Sequence, residues 1–142
     1  MIRRTLLLMV SLLSLPAVAE QFKSFDGIEV HYVVVNTLFL QPDAAARYGV
    51  ARGEDRAIVN LSVLDHDGAP MPGEVTGVTI NLLSQQTLLQ FSVVREVDSI
   101  YYIAPIRYTD QDVLRFKITV RVPDHAPMIL EFQQRMYVES GQ

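Results

Sequence analysis

The sequence predicts an all-β chain folded as an antiparallel β-sandwich of immunoglobulin-like type. Three observations carry that reading. Apolar and polar residues alternate at period two along most of the chain. Gly, Pro and Asp clusters cut the alternation into about seven main strands. The clearest helical signal lies near residues 42–48; Leu82, Leu83, Leu88 and Leu89 partly fit one helix as well, but the β-branched residues on both sides favour two strands there. A small β-barrel fits the same pattern and is the alternative.

The elements follow in chain order. Arg3 and Arg4 precede the apolar run Thr5 to Leu15, Pro16 ends it, and Ala17-Val18-Ala19 forms an A-x-A site. This is the layout of a cleaved signal peptide over residues 1–19, leaving one domain over 20–142. A spanning helix needs roughly 20 apolar residues, about twice this run. The expected location is the periplasm of a Gram-negative bacterium, with no membrane span after removal. A short strand, Phe22 to Phe25, leads through the hairpin pair Asp26-Gly27 into a long strand, Ile28 to Leu40. Ile28, Val30, Tyr32, Val34 and Leu38 share its apolar face, and Asn36 on that face marks a bulge or a strand end.

Pro42, an alanine run and Gly49 describe a helix of about two turns. After a charged loop, Arg52 to Arg56, comes the strand Ala57 to Leu64, then a Pro/Gly/Asp loop to Gly73. Val75 to Ser84 reads as a strand with Val78, Ile80 and Leu82 inward. Thr87 to Val97 reads as one more, with Leu89, Phe91 and Val93 inward. Ser99 to Tyr108 follows, with Pro105 expected at an edge or bulge. Val113 to Val122 alternates most cleanly, and Met128 to Val138 closes the chain.

The 142 residues include no cysteine and no tryptophan, and the net charge is −4. Without cysteine there are no disulfides, thiolate metal sites, iron–sulfur clusters or cysteine nucleophiles. Losing Arg3 and Arg4 with the signal makes the chain more acidic still, against nucleic acid as a partner. No cofactor motif is present. The metal candidates are His31, His66, His125 and Met128, but no H-x-H, M-x-M or H-x₃-H spacing joins them. An EF-hand loop starting at Asp65 would need glycine and a bidentate acid where Pro70 and Thr76 stand. The string nearest to G-x-S-x-G, Gly73 to Gly77, has Val75 at the nucleophile position. These residues therefore read as turns and strand faces, and the chain as no enzyme.

The segment Phe39 to Arg56 has two readings. Arg47, Tyr48, Arg52 and Arg56 form a partner-contact patch, because Arg and Tyr anchor interfaces. Alternatively, the segment caps an open end of the sandwich. Tyr101 and Tyr102 fall on opposite faces, one core and one surface.

Beside this reading stands a resemblance. Phe22-Lys23-Ser24-Phe25, Glu29-Val30-His31-Tyr32, Phe39-Leu40-Gln41-Pro42, Tyr48-Gly49, Ile100 to Ala104 and Leu114-Arg115-Phe116 carry it. The chain resembles a family of small exported proteobacterial proteins classified only as a domain of unknown function. The resemblance implies an exported domain and transfers no activity and no catalytic residue. The leading expectation is a non-catalytic module that holds another envelope protein through a long edge strand or the Phe39 to Arg56 segment. The alternative is a carrier of a small ligand or of a metal held by His31, His125 or Met128. A hydrolase acting on an envelope polymer is the third reading.

Overall fold

The computed structural model describes residues 21–140, and the export segment expected over 1–19 lies outside them. Asp26 and Gly27 take positive φ, 48° and 84°, as a type I′ turn requires. They join β1 (Gln21–Phe25) to β2 (Ile28–Asn36) in a tight hairpin. β2 pairs with β3 (Arg56–Leu64), β3 with β7 (Ser99–Arg107), and β7 with β6 (Ser92–Glu96). The result is a five-stranded sheet in the order β1-β2-β3-β7-β6. A four-stranded sheet, in the order β5-β4-β8-β9, is built from β4 (Glu74–Ile80), β5 (Gln86–Leu89), β8 (Val113–Arg121) and β9 (Met128–Arg135). Every strand pairing is antiparallel. Two open sheets with four edges make a sandwich and not the alternative barrel. Among the described residues, no helix is long and apolar enough to cross a membrane.

Three strand expectations are corrected. The strand expected over Ile28 to Leu40 ends at Asn36, and Thr37–Phe39 form a 3-10 turn. The Asn36 side chain causes the break by accepting a hydrogen bond from the Leu38 N–H at 2.8 Å. The strand expected over Thr87 to Val97 is two strands, β5 and β6, in different sheets. The chain changes sheet at Gln90-Phe91, so Leu89 is buried while Val93 lies half exposed on an edge strand. Among the described residues this split raises the strand count to nine.

In β4 the inward face is the opposite of the expected one. Register with β8 sets Val75, Gly77 and Thr79 opposite the buried Val120, Ile118 and Phe116. β8 approaches closely at Gly77, where a Cβ would sit 3.0 Å from Ile118 Cγ1. Val78 and Ile80 therefore lie half-buried on the outer face, and Leu82 is 76% exposed in the turn beyond. Pro105 sits as its chemistry demands. Tyr108 N–H bonds Asp55 O, so the even positions of β7 bond β3 and the odd ones face β6. β6 stops pairing at Ile103, so the missing N–H of Pro105 removes no ladder bond.

One apolar layer fills the space between the sheets, led by Val30, Val59, Leu61, Val63, Phe116, Ile118, Val120 and Leu130. Three rings cross it. Tyr32 stacks on Phe132 at 4.4 Å between centroids, and Phe132 stacks on Phe116 at 4.6 Å. Tyr102 and Tyr108 share the inner face of β7 and each secures one end. Tyr102 Oη accepts from Gly73 N at 2.8 Å and donates to Met71 O at 3.0 Å, fastening the β3–β4 loop. Tyr108 Oη accepts from Asn36 Nδ2 at 2.7 Å and donates to Tyr137 O at 2.7 Å, fastening the other end.

Phe116→Ala removes a ring that is 1% exposed. It should destabilise the domain by about 3–5 kcal/mol, read as a lower urea midpoint at unchanged slope. Burial also raises the phenols of Tyr102 and Tyr108 above their ordinary value of 10.0, with hydrogen bonds from Gly73 and Asn36 opposing the rise. The folded chain thus holds these protons more tightly than the unfolded chain. Their contribution is intact below about pH 10 and declines as pH climbs from there through the raised folded values. The alkaline fall in unfolding midpoint should be shallower in Tyr102→Phe than in the parent.

Candidate functional site

The segment between β2 and β3 is held by its own polar groups. The helix α1 (Pro42–Tyr48) starts with proline in its first turn and ends at Gly49, whose φ of 67° is left-handed. Thr37 is fully buried: its Oγ1 accepts from Gly53 N at 2.9 Å and lies 3.1 Å from both Gly53 O and Arg56 O. Arg52 donates from Nη2 to Leu38 O at 3.1 Å and from Nε to Thr37 O at 3.4 Å. Arg107 Nε donates to Asp55 Oδ2 at 2.9 Å, and that bond holds the Asp55 carboxyl below its ordinary value. Ile58 points to the outer face of its sheet yet is 2% exposed, and Ala45 of α1 is 3% exposed. Val50 and Ala51 line one cleft with Pro105 and Arg107. The segment therefore covers the outer face of the five-stranded sheet at this end.

The four residues expected to form one contact patch divide between two tasks. Arg52 and Arg56 turn back into the segment, with Arg56 Cδ 2.9 Å from where a Gly53 Cβ would be. Arg47 and Tyr48 stay on the helix, the guanidinium 5.9 Å from the ring centre.

The metal candidates are dispersed. His31 lies on the outer face of β2, its Nε2 2.7 Å from Glu29 Oε2 and its ring stacked on Phe22 at 5.1 Å. His66 sits in the exposed β3–β4 loop, 3.4 Å from Asp67. His125 is exposed in the β8–β9 loop, and Met128 is buried on the inner face of β9. Among the described residues, no group of three or more His, Asp or Glu side chains stands close enough to hold a metal ion. Asn60 Oδ1, half-way along β3, is buried without a hydrogen-bond partner. Its outer-face row neighbours are Val33 and Ile103, which bring no ligating group.

The sheet edges are unequal. β1 has five residues and turns Lys23 inward; β6 has five and turns Arg95 inward; β5 has only four. Short length and inward charge both discourage pairing. β9 has eight residues in unbroken register, no proline, and Met128, Leu130, Phe132 and Gln134 inward. Met136 N–H bonds Asp112 O at 2.7 Å, continuing that register. Even positions of β9 therefore bond β8, and Ile129, Glu131, Gln133 and Arg135 turn their backbone N–H and C=O outward. Tyr32 on Phe132 sets β2 over β9, so β1 projects past it. Gln21 and Lys23 face inward from β1 yet are exposed, so no described residue covers them. Alternation in the sequence reveals faces, not neighbours, and β9 was missed as an edge for that reason. Lys23 and Arg95, charged at inward positions, were the readable marks of the defended edges.

No curated protein matches the chain. A DUF4426 family protein, PA0388 from Pseudomonas aeruginosa PAO1, is similar in structure with a TM-score of 0.78 and 28% identity, covering 85% of this chain and 97% of that one. FetP of uropathogenic Escherichia coli strain F11, expressed in the periplasm of E. coli, shares the fold at TM-score 0.62 and 10% identity, covering 86% of this chain and 96% of its own. A copper-bound variant of FetP matches at TM-score 0.61 and 12% identity, covering 84% and 95%. The sequence profile described as Domain of unknown function (DUF4426) matches residues 22–139, and the chain belongs to that family.

Proposed function

We propose that this chain is an exported, non-catalytic module that holds another envelope protein along its β9 edge. The observation that carries the reading is the eight-residue edge whose outward backbone groups carry none of the defences seen at β1, β5 and β6. Sheet edges of this kind take partners by main-chain hydrogen bonding. Ile129 and Tyr137, both about half exposed, flank the edge with apolar surface. The signal-like residues 1–19 and the periplasmic expression of FetP support the exported location. The expected long edge strand is reassigned here: β2 lies inside its sheet, between β1 and β3.

A second reading, a copper carrier, draws on the shared fold of copper-bound FetP. His31 beside Glu29 is its best starting pair, but the described residues add no third His or carboxylate ligand.

The edge reading is tested by crosslinking tagged protein in living cells, with mass spectrometry of what is captured. Gln133→Pro removes one outward N–H and leaves the ladder to β8 whole. It should lose the partner while shifting stability by no more than about 1 kcal/mol. Arg47→Ala and Tyr48→Ala should keep the partner. Retention by Gln133→Pro together with loss by the helix variants would move the contact to α1. Isothermal titration with copper, zinc and calcium should show binding no tighter than millimolar; tighter binding that His31→Ala abolishes would establish the carrier reading.

A further inference from the structure

We infer that the β9 edge accepts one extended strand from a partner protein, carrying an acidic side chain on its inner face opposite Lys23. This rests on the interaction-module reading and specifies the chemistry of its occupant. The space beside β9 has a wall and a roof and is open to solvent on its outer side. The wall is the row of outward N–H and C=O groups of Ile129, Glu131, Gln133 and Arg135. The roof is β1, whose inward Gln21 and Lys23 are exposed among the described residues. On that open outer side Glu131 and Arg135 flank the edge.

A strand laid into this space bonds β9 through its backbone and alternates its side chains. Its inner side chains meet Lys23 and the half-buried rings of Phe25 and Phe132. Apolar residues with one Asp or Glu among them suit that surface. Lys23 Nζ lies 5.1 Å from the Phe25 ring centre, so it is already held on this side of β1. The outer side chains meet Glu131 and Arg135, which favours a cation and an anion in matching order.

A second copy of this chain fits the space poorly, for two reasons. Its own β9 presents Met128, Leu130, Phe132 and Gln134 inward, with no acid for Lys23. Its own β2 lies over its β9, as the Tyr32–Phe132 stack shows, and would arrive where the first copy's β1 already stands. A lone strand brings no second layer.

The test uses the full chain in cells, with a photoreactive phenylalanine derivative placed singly at Glu131, Gln133 or, as the helix control, Ala46. The adducts are digested and mapped. Adducts from positions 131 and 133 should fall two residues apart in one short stretch of one partner, with an Asp or Glu inside it. Lys23→Glu should lower their yield by about tenfold or more, as reversing a desolvated charge contact does. Replacing the mapped acid by Lys should restore it. Lys23→Gln serves as the milder variant, and the unfolding midpoint of each confirms a folded domain. Adducts between two copies of this chain would overturn the inference in favour of self-pairing. Adducts indifferent to Lys23→Glu would also overturn it. Adducts from Ala46 alone would end strand addition and leave the interaction-module reading standing, whereas none from any position would end both.

Discussion

The two sheets share a single apolar layer, and the stack of Tyr32, Phe132 and Phe116 is where they lock across it. Tyr32 belongs to one sheet and the two phenylalanines to the other. Once those rings meet, the phase of three strands is set, because every second residue of β2, β8 and β9 must point the same way. β4 then has no freedom of its own. It pairs with β8, and the bulk of Phe116, Ile118 and Val120 decides that Thr79, Gly77 and Val75 turn inward. The exposure of Leu82 and the half-burial of Ile80 follow from a contact made two strands away.

That dependence explains what could be read from the chain alone. Asp26-Gly27, Gly49 and the clean alternation of Val113 to Arg121 encode their structure locally, and each appears where expected. Asn36 could be read as a possible strand end because a short amide on an apolar face competes for backbone N–H groups. The inward face of β4 was not legible. Beyond Val75 its core positions hold Gly77 and Thr79, while Val78 and Ile80 face outward, so hydrophobicity points the wrong way along most of the strand. The division of Thr87 to Val97 was equally hidden. A strand that changes sheet at Gln90-Phe91 keeps its β propensity on both sides of the change, and no glycine or proline marks the place.

The candidate site was legible in part for the same reasons. Arg52 and Arg56 look like surface residues in the sequence, but Thr37 and Leu38 present carbonyls that only folding brings beside Arg52. The open edge at β9 is a property of strand order, which depends on β8 having β4 on its other side. What the sequence did hold was the defence of the other edges. Lys23 and Arg95 occupy positions where alternation calls for an apolar residue.

The strand order also governs which contacts can form before synthesis of the chain is complete. β3 stays unpaired on one side until β7 exists, and β4 has only the four-residue β5 until β8 arrives. The ring stack needs Phe132, nearly the last of the structured residues. Any fragment ending before β8 therefore has only the β4-β5 hairpin to oppose the apolar face of β2 and β3. The β1-β2-β3 ladder and the β4-β5 hairpin can pair early, but neither sheet is complete until its later strands arrive. The contacts that lock the two sheets together are the last ones the growing chain can make.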